Sequence, residues 1–195
     1  MSVSAEIINS CRDITQPGYY KLGSNISGLQ SGKEYCIGIF ASNVVLDGNG
    51  FSLIGPKEKN YCCWGKGIKI DSANNITVKN LRVSGYEHGI ELRNSNKNTI
   101  SNNMISNNYW GTKLAYSNNN TISNNILSDN ELGGIDLWYS NYNTISNNNF
   151  KNCGLFVHGS YQNTVLNNTV NGKPLVYLEN ASNLTITHAG QVILV

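Results

Sequence analysis

The chain has 195 residues, of which 33 are Asn, 19 are Gly and only 13% are charged, with a net charge of +2. Polarity carried by amides and Gly rather than by ions disfavours helices and argues for a regular β architecture. With no basic run and no apolar stretch of spanning length, a nucleic-acid interface and membrane insertion are excluded, and the opening MSVSAEIINSCRDITQPGYY holds no signal-like apolar segment.

Residues 1–35 are expected to form an N-terminal capping segment, and 36–195 the main body. Cys11 precedes the first turn and Cys36 opens the first coil strand, so a disulfide between them would pin that segment over the end of the body. The loop GPKEKNYCCWGK at 55–66 is read as an insertion carrying Cys62 and Cys63. Five Cys cannot all pair within the chain, which leaves at least one thiol, with Cys153 among the candidates.

Beyond the insertion the sequence repeats. Val45-Leu46, Thr77-Val78, Thr99-Ile100, Thr121-Ile122, Thr144-Ile145, Thr164-Val165 and Thr185-Ile186 are separated by 32, 22, 22, 23, 20 and 21 residues. A second signature runs in register: GIKI at 67, GIEL at 89, GTKL at 111, GIDL at 134, GLFV at 154 and VYL at 176–178. Apolar residues alternate, as in Ile90/Leu92 and Ile135/Leu137, which marks short strands. A unit of this length cannot bury its apolar face alone, so the fold class is all-β, a parallel β-helix solenoid of about seven coils.

Strict alternation then assigns faces. If Ile100 points inward, so do Asn98 and Asn102. This predicts two buried amide ladders: Asn98, Asn120, Asn143 and Asn163, with Ile76 and Leu184 at the ends, and Asn80, Asn102, Asn124, Asn147 and Asn167. Stacked amides satisfy one another from coil to coil. Sequons at Asn25, Asn75, Asn119, Asn167, Asn180 and Asn183 are possible glycan acceptors, with Asn167 expected to be buried.

The strand opening each repeat presents two outward columns: Lys69, Glu91, Lys113, Asp136, Phe156, Tyr177 and Asp71, Arg93, Ala115, Trp138, His158, Glu179. Alternating signs predict a register-setting charge checkerboard. The same columns hold the candidate catalytic residues Glu91, Asp136 and His158. Glu91 and Asp136 sit two coils apart, about 10 Å by strand spacing, and the intervening Lys113 is expected to lower both carboxyl pKa values. Trp110, Tyr116, Trp138, Tyr139, Tyr142, His158 and Tyr161 form an aromatic zone suited to stacking on sugar rings or on another chain. A Thr column at 77, 99, 121, 144, 164 and 185, with Ser101, Ser123 and Ser146 beside it, has an ice-binding arrangement, interrupted by Lys79 and Leu166. His88, His158 and His188 do not gather at ligand spacing, so neither metal nor cofactor is expected. The closing QVILV exposes a strand ready to pair, which suggests self-association through the C-terminal coil.

The runs CRDITQPGYYKL, CIGIFASNVVLDGNGFSLIG, NNITVKNLRVSGYEHGIEL, the NTISNN repeats and GKPLVYLENASNLTI together resemble the right-handed parallel β-helix proteins of the NosD-like class. Their repeats are called the carbohydrate-binding and sugar-hydrolase type and abound on archaeal cell surfaces. The resemblance implies an extracellular or cell-surface scaffold presenting a rigid face to glycans or surface proteins. Polysaccharide-modifying enzymes and a periplasmic protein implicated in copper delivery belong to the same class, so catalysis and metal handling are its alternative implications.

Overall fold

Each Asn pair in the repeats is a bend followed by a rung. In the computed structural model, which describes residues 4–56 and 65–195, the first Asn of the pair has positive φ, at 57° for Asn102, 57° for Asn124 and 55° for Asn147. Asn tolerates this left-handed conformation better than other non-Gly residues because its short amide bonds locally. The reversal shifts side-chain alternation by one residue. The second Asn therefore turns inward and the first stays in solvent.

This corrects the second predicted ladder. Asn80, Asn102, Asn124, Asn147 and Asn167 are exposed, and the buried rung is one residue later, at Leu81, Asn103, Asn125, Asn148 and Asn168. Asn167 is thus an exposed corner residue, like the other five sequon asparagines. The ladder of Asn98, Asn120, Asn143 and Asn163 is buried as expected, with Ile76 at one end. Leu184 is not at the other end: it is 62% exposed, and Glu179 closes the ladder by accepting the backbone N–H of Asn163 at 3.1 Å. A third rung set runs Tyr86, Asn108, Asn130, and a fourth, of hydroxyls, runs Ala73, Ser95, Ser117, Ser140, Ser160.

A rung is chemically complete. Asn125 Oδ1 accepts from Asn103 N at 2.9 Å and Nδ2 at 3.1 Å, while its own Nδ2 reaches Ile100 O at 2.9 Å and Asn148 Oδ1 at 3.0 Å. Backbone groups that the bends remove from the sheets are thereby satisfied inside the rod.

Between bends the short strands stack into three sheets of eight, nine and seven strands. Strands such as Thr121–Ser123 build the eight-stranded sheet, Ile126–Ser128 the nine-stranded sheet and Gly133–Trp138 the seven-stranded sheet. Pairing is parallel except between Thr169–Val170 and Lys173–Leu178, and inward columns such as Ile68, Ile90, Thr112, Ile135 and Leu155 fill the core. The Thr column is in register from Thr77 to Thr164, with Lys79, Ser101, Ser123, Ser146 and Leu166 beside it.

The N-terminal segment is built as coil. Glu6–Ile8, Gly18–Leu22, Arg12–Ile14 and Ile26–Ser27 each enter one of the three sheets, and Cys11 and Cys36 are joined by a disulfide. Cys62 and Cys63 lie outside the described residues. Cys153 is a free thiol, half-buried, with Sγ 3.3 Å from Leu127 O.

At the other end the coil pattern stops earlier than expected. Lys173–Leu178 pairs antiparallel with Thr169–Val170, and Gln191–Leu194 then pairs parallel with it. Tyr177 and Glu179 accordingly do not extend the columns of the seven-stranded sheet, and Thr185-Ile186 is not a strand. The physical cause lies in the tight turn at Asn171 and Gly172, both with positive φ, which reverses the chain. In place of another coil, Gln191 lays its amide against Leu155, Oε1 accepting its N–H at 3.0 Å and Nε2 donating to its carbonyl at 2.7 Å.

Candidate functional site

The outward face of the seven-stranded sheet gathers the titratable and aromatic side chains. Lys69, Glu91, Lys113, Asp136 and Phe156 stand in one register column, and Asp71, Arg93, Ala115, Trp138 and His158 in the next. Parallel pairing places each member one strand spacing, about 4.8 Å, from the next.

The expected checkerboard is realised in part. Lys113 Nζ lies 3.7 Å from Asp136 Oδ2 across coils, but Lys69 pairs along its own strand with Asp71 at 3.1 Å. Glu91 takes a partner that strict alternation places inward: His88, whose Nδ1 is 3.1 Å from Glu91 Oε1. Strand pairing skips the Gly column here, and a Cβ on Gly89 would stand 2.6 Å from Gly111 O. Only Gly permits that backbone approach, and the interruption brings His88 beside Glu91.

The two carboxyls have opposite environments, which corrects the expectation that Lys113 depresses both. Burial opposes ionisation of Glu91, but the His88 hydrogen bond and the charges of His88, Lys66 and Lys113 outweigh it and hold its carboxyl below the usual range. For Asp136, 2% exposed, burial prevails over Lys113, His158 and His88, and its carboxyl lies above the usual range. Its Oδ1 is buried without a hydrogen-bond partner.

The aromatic residues divide into two groups. Trp110 opens the strand Trp110–Ala115 and packs edge-to-face on Phe156, with ring centroids 5.3 Å apart, above Gly133. Tyr116 follows the far end of that strand, six residues and roughly 20 Å away. There, Tyr116 and Tyr139 stack with centroids 5.6 Å apart and planes 5° from parallel, and Trp138 meets Tyr139 at 5.5 Å and His158 at 5.4 Å. Tyr116 and Tyr139 occupy successive left-handed corners, with φ of 52° and 45°. Gly159 holds the next corner; a Cβ there would meet the Tyr139 ring at 2.7 Å.

Tyr142 and Tyr161 are both 57% exposed beyond the corner, joined by a bond from Tyr142 N–H to Tyr161 carbonyl at 3.3 Å. His158 is exposed beside Trp138. His88 and Phe156 are the site residues that sequence reasoning omitted. Phe156 was legible from its column, whereas His88 required recognising that Gly89 breaks the alternation.

Among the described residues, no group of three or more His, Cys, Asp or Glu side chains is placed to hold a metal ion. The family model described as right handed beta helix region matches residues 65–189, more than half of the chain. The protein belongs to the right-handed β-helix family. A search of curated sequences returns no match.

Among solved structures, this β-helix protein is similar to the catalytic domain of a GH87 alpha-1,3-glucanase in complex with nigerose. The TM-score is 0.64 at 19% identity, covering 98% of this chain and 39% of that one. An alginate lyase from Paenibacillus sp. str. FPU-7 gives 0.60 at 19% identity, covering 84% and 66%. DFA-IIIase from Arthrobacter chlorophenolicus A6 without its lid gives 0.60 at 14% identity, covering 83% of this chain and 43% of that one. The Dettilon tailspike protein gives 0.63 at 15%, covering 90% and 45%. These likenesses establish a shared fold, and the chain spans less than half the length of three of these four neighbours.

Proposed function

We propose that this β-helix binds carbohydrate on the outward face of its seven-stranded sheet, as a non-catalytic extracellular scaffold. The carrying observation is the pair of parallel, half-exposed rings of Tyr116 and Tyr139 beside Trp138, fixed on adjacent coils of a rigid rod. Flat apolar rings with polar edges suit the faces of sugar rings, and a platform already ordered loses little entropy on binding. The Cys11–Cys36 bridge supports an oxidising location. The shared fold of the glucanase in complex with nigerose and of the alginate lyase supports this reading.

The test is a glycan array followed by calorimetry on the best ligand. Tyr139→Ala and Trp138→Ala should each weaken binding by at least about tenfold, the scale of one lost aromatic contact. Unchanged affinity in both would assign the aromatic corner to structure alone.

The opposed shifts of Glu91 and Asp136 favour a second reading, acid–base cleavage of a glycan, because such chemistry works with two carboxyls whose environments push their pKa values apart. Reductant-release assays on a polysaccharide panel separate the two. Cleavage that disappears in both Glu91→Gln and Asp136→Asn would replace the non-catalytic reading.

A further inference from the structure

Three buried side-chain polar atoms among the described residues lack a hydrogen-bond partner: Thr112 Oγ1, Asn163 Nδ2 and Asp136 Oδ1. Thr112 belongs to the inward core column and Asn163 to the end of a ladder. Asp136 alone is ionisable, and it alone stands on the outward face.

Aromatic rings and one lysine surround it on that face. Phe156 is the cross-strand neighbour of Asp136 and carries Trp110 against it, both rings lying over Gly133. Trp138 stands two residues further along the same strand, on the same face, with His158 beside it. Lys113 reaches across from the preceding coil, its ammonium 3.7 Å from Asp136 Oδ2 and 6.0 Å from the centre of the Trp138 ring. The Lys113 side chain is partly exposed and unbranched, so it can swing aside, whereas the walls are anchored on strands. A buried carboxylate oxygen without a donor costs stability, and native structures keep such groups where a ligand or a reaction uses them.

We propose that Asp136 is the floor of a subsite for one neutral sugar ring, its free oxygen Oδ1 accepting a hydrogen bond from a ring hydroxyl between the Trp110–Phe156 pair and Trp138. This rests on the carbohydrate-binding reading and names the residue that selects within it. A hydroxyl supplies the donor that Oδ1 lacks, and a charge-assisted bond is stronger than a neutral one. A uronic acid would set a second carboxylate against Asp136, so acidic glycans are disfavoured.

The experiment compares wild type, Asp136→Asn and Trp138→Ala on an array of neutral and uronic-acid oligosaccharides, then by calorimetry on the best neutral binder, with melting temperature measured for each protein. In Asp136→Asn, Lys113 draws the amide oxygen to itself and the amide nitrogen takes the place of Oδ1. Neutral-glycan affinity should fall at least about tenfold, the preference over uronic acids should narrow, and the melting temperature should rise because the orphaned charge is gone. Wild-type affinity retained in Asp136→Asn overturns the subsite while leaving the aromatic platform standing. Tighter binding of uronic acids by wild type overturns it too, as does a melting temperature lowered by the substitution, which would assign Asp136 to the scaffold. Absence of any glycan binding by wild type overturns the subsite together with the function on which it rests.

Discussion

Adjacent asparagines in this protein have unlike roles, and substitution separates them. Asn125 bonds to coils on both sides, so Asn125→Ala leaves the Asn103 N–H without its acceptor and two carbonyls short of a donor. The expected loss is on the order of 3 kcal/mol, the cost of orphaning several buried polar groups. Asn124, exposed at φ of 57°, turns the chain, and its backbone N–H donates to Ser146 O at 3.1 Å. Asn124→Gly should change stability by only a few tenths of a kcal/mol, and Asn124→Ala should cost about 1 kcal/mol through the left-handed strain on a Cβ. Urea denaturation of the three variants checks the order. The two carboxyls of the outward face give opposite pH signatures. The Asp136 carboxyl is raised by burial, so its contribution is full below the ordinary value of 3.8 and is lost as pH rises through the folded value. Compared with Asp136→Asn, the wild type should therefore lose stability as pH climbs above about 4. Glu91 is lowered on balance, so its contribution is present above 4.5 and lost as pH falls through the folded value. Against Glu91→Gln, the wild type should weaken on acidification. Equilibrium unfolding across pH 3–8 reads both slopes, and parallel curves for wild type and variants would contradict the assignment.

Strands, bends and caps differ in how far they could be read from the letters. Strand positions were legible because apolar alternation and a period near 22 coincide at Thr99-Ile100, Thr121-Ile122 and Thr144-Ile145. Bends were not, since alternation counts every residue as extended and one left-handed Asn shifts the count; Asn102 and Asn103 look alike until φ is known. The same limit hid His88, which Gly89 brings out of the expected parity. The aromatic candidates do not form one patch, because Trp110 and Tyr116 begin and follow the same strand and so stand at its opposite ends. The chain reversal after Asn171 was also missed, as VYL at 176–178 imitates the repeat signature without its Gly. The disulfide was visible from its placement, and it gives an element-scale prediction. Closing a loop of 25 residues between Cys11 and Cys36 should contribute about 3–4 kcal/mol by chain-entropy arguments. Cys11→Ser with Cys36→Ser should lower the melting temperature and loosen residues 4–35 first, which hydrogen exchange resolves.

At the scale of the whole rod, stability is close to a sum over nearest neighbours, because each coil touches chiefly the one before and the one after. The inward ladders repeat one pattern of giving and receiving from Asn98 to Asn143 without change. A duplicated unit inserted between Asn118 and Asn119, copying residues 119–141, meets the same neighbours that its original meets. The lengthened protein should fold with undiminished thermal stability and a larger hydrodynamic radius; a cooperative loss of structure would mean that coils sense more than their neighbours. The Asn rungs also carry a direction. In every inward Asn column the main-chain N–H of one coil gives its hydrogen to the side chain of the following coil, whereas on the outer corner Asn96, Asn118 and Asn141 each take the N–H of the following coil instead. The rod is therefore a filament with an arrow. Its leading face asks incoming material for acceptors inside and donors outside, a demand that Glu179 meets in one column with a carboxylate in place of another amide. Two such rods can continue each other head to tail but never head to head, so polarity set by a side-chain amide would govern the geometry of any end-on assembly.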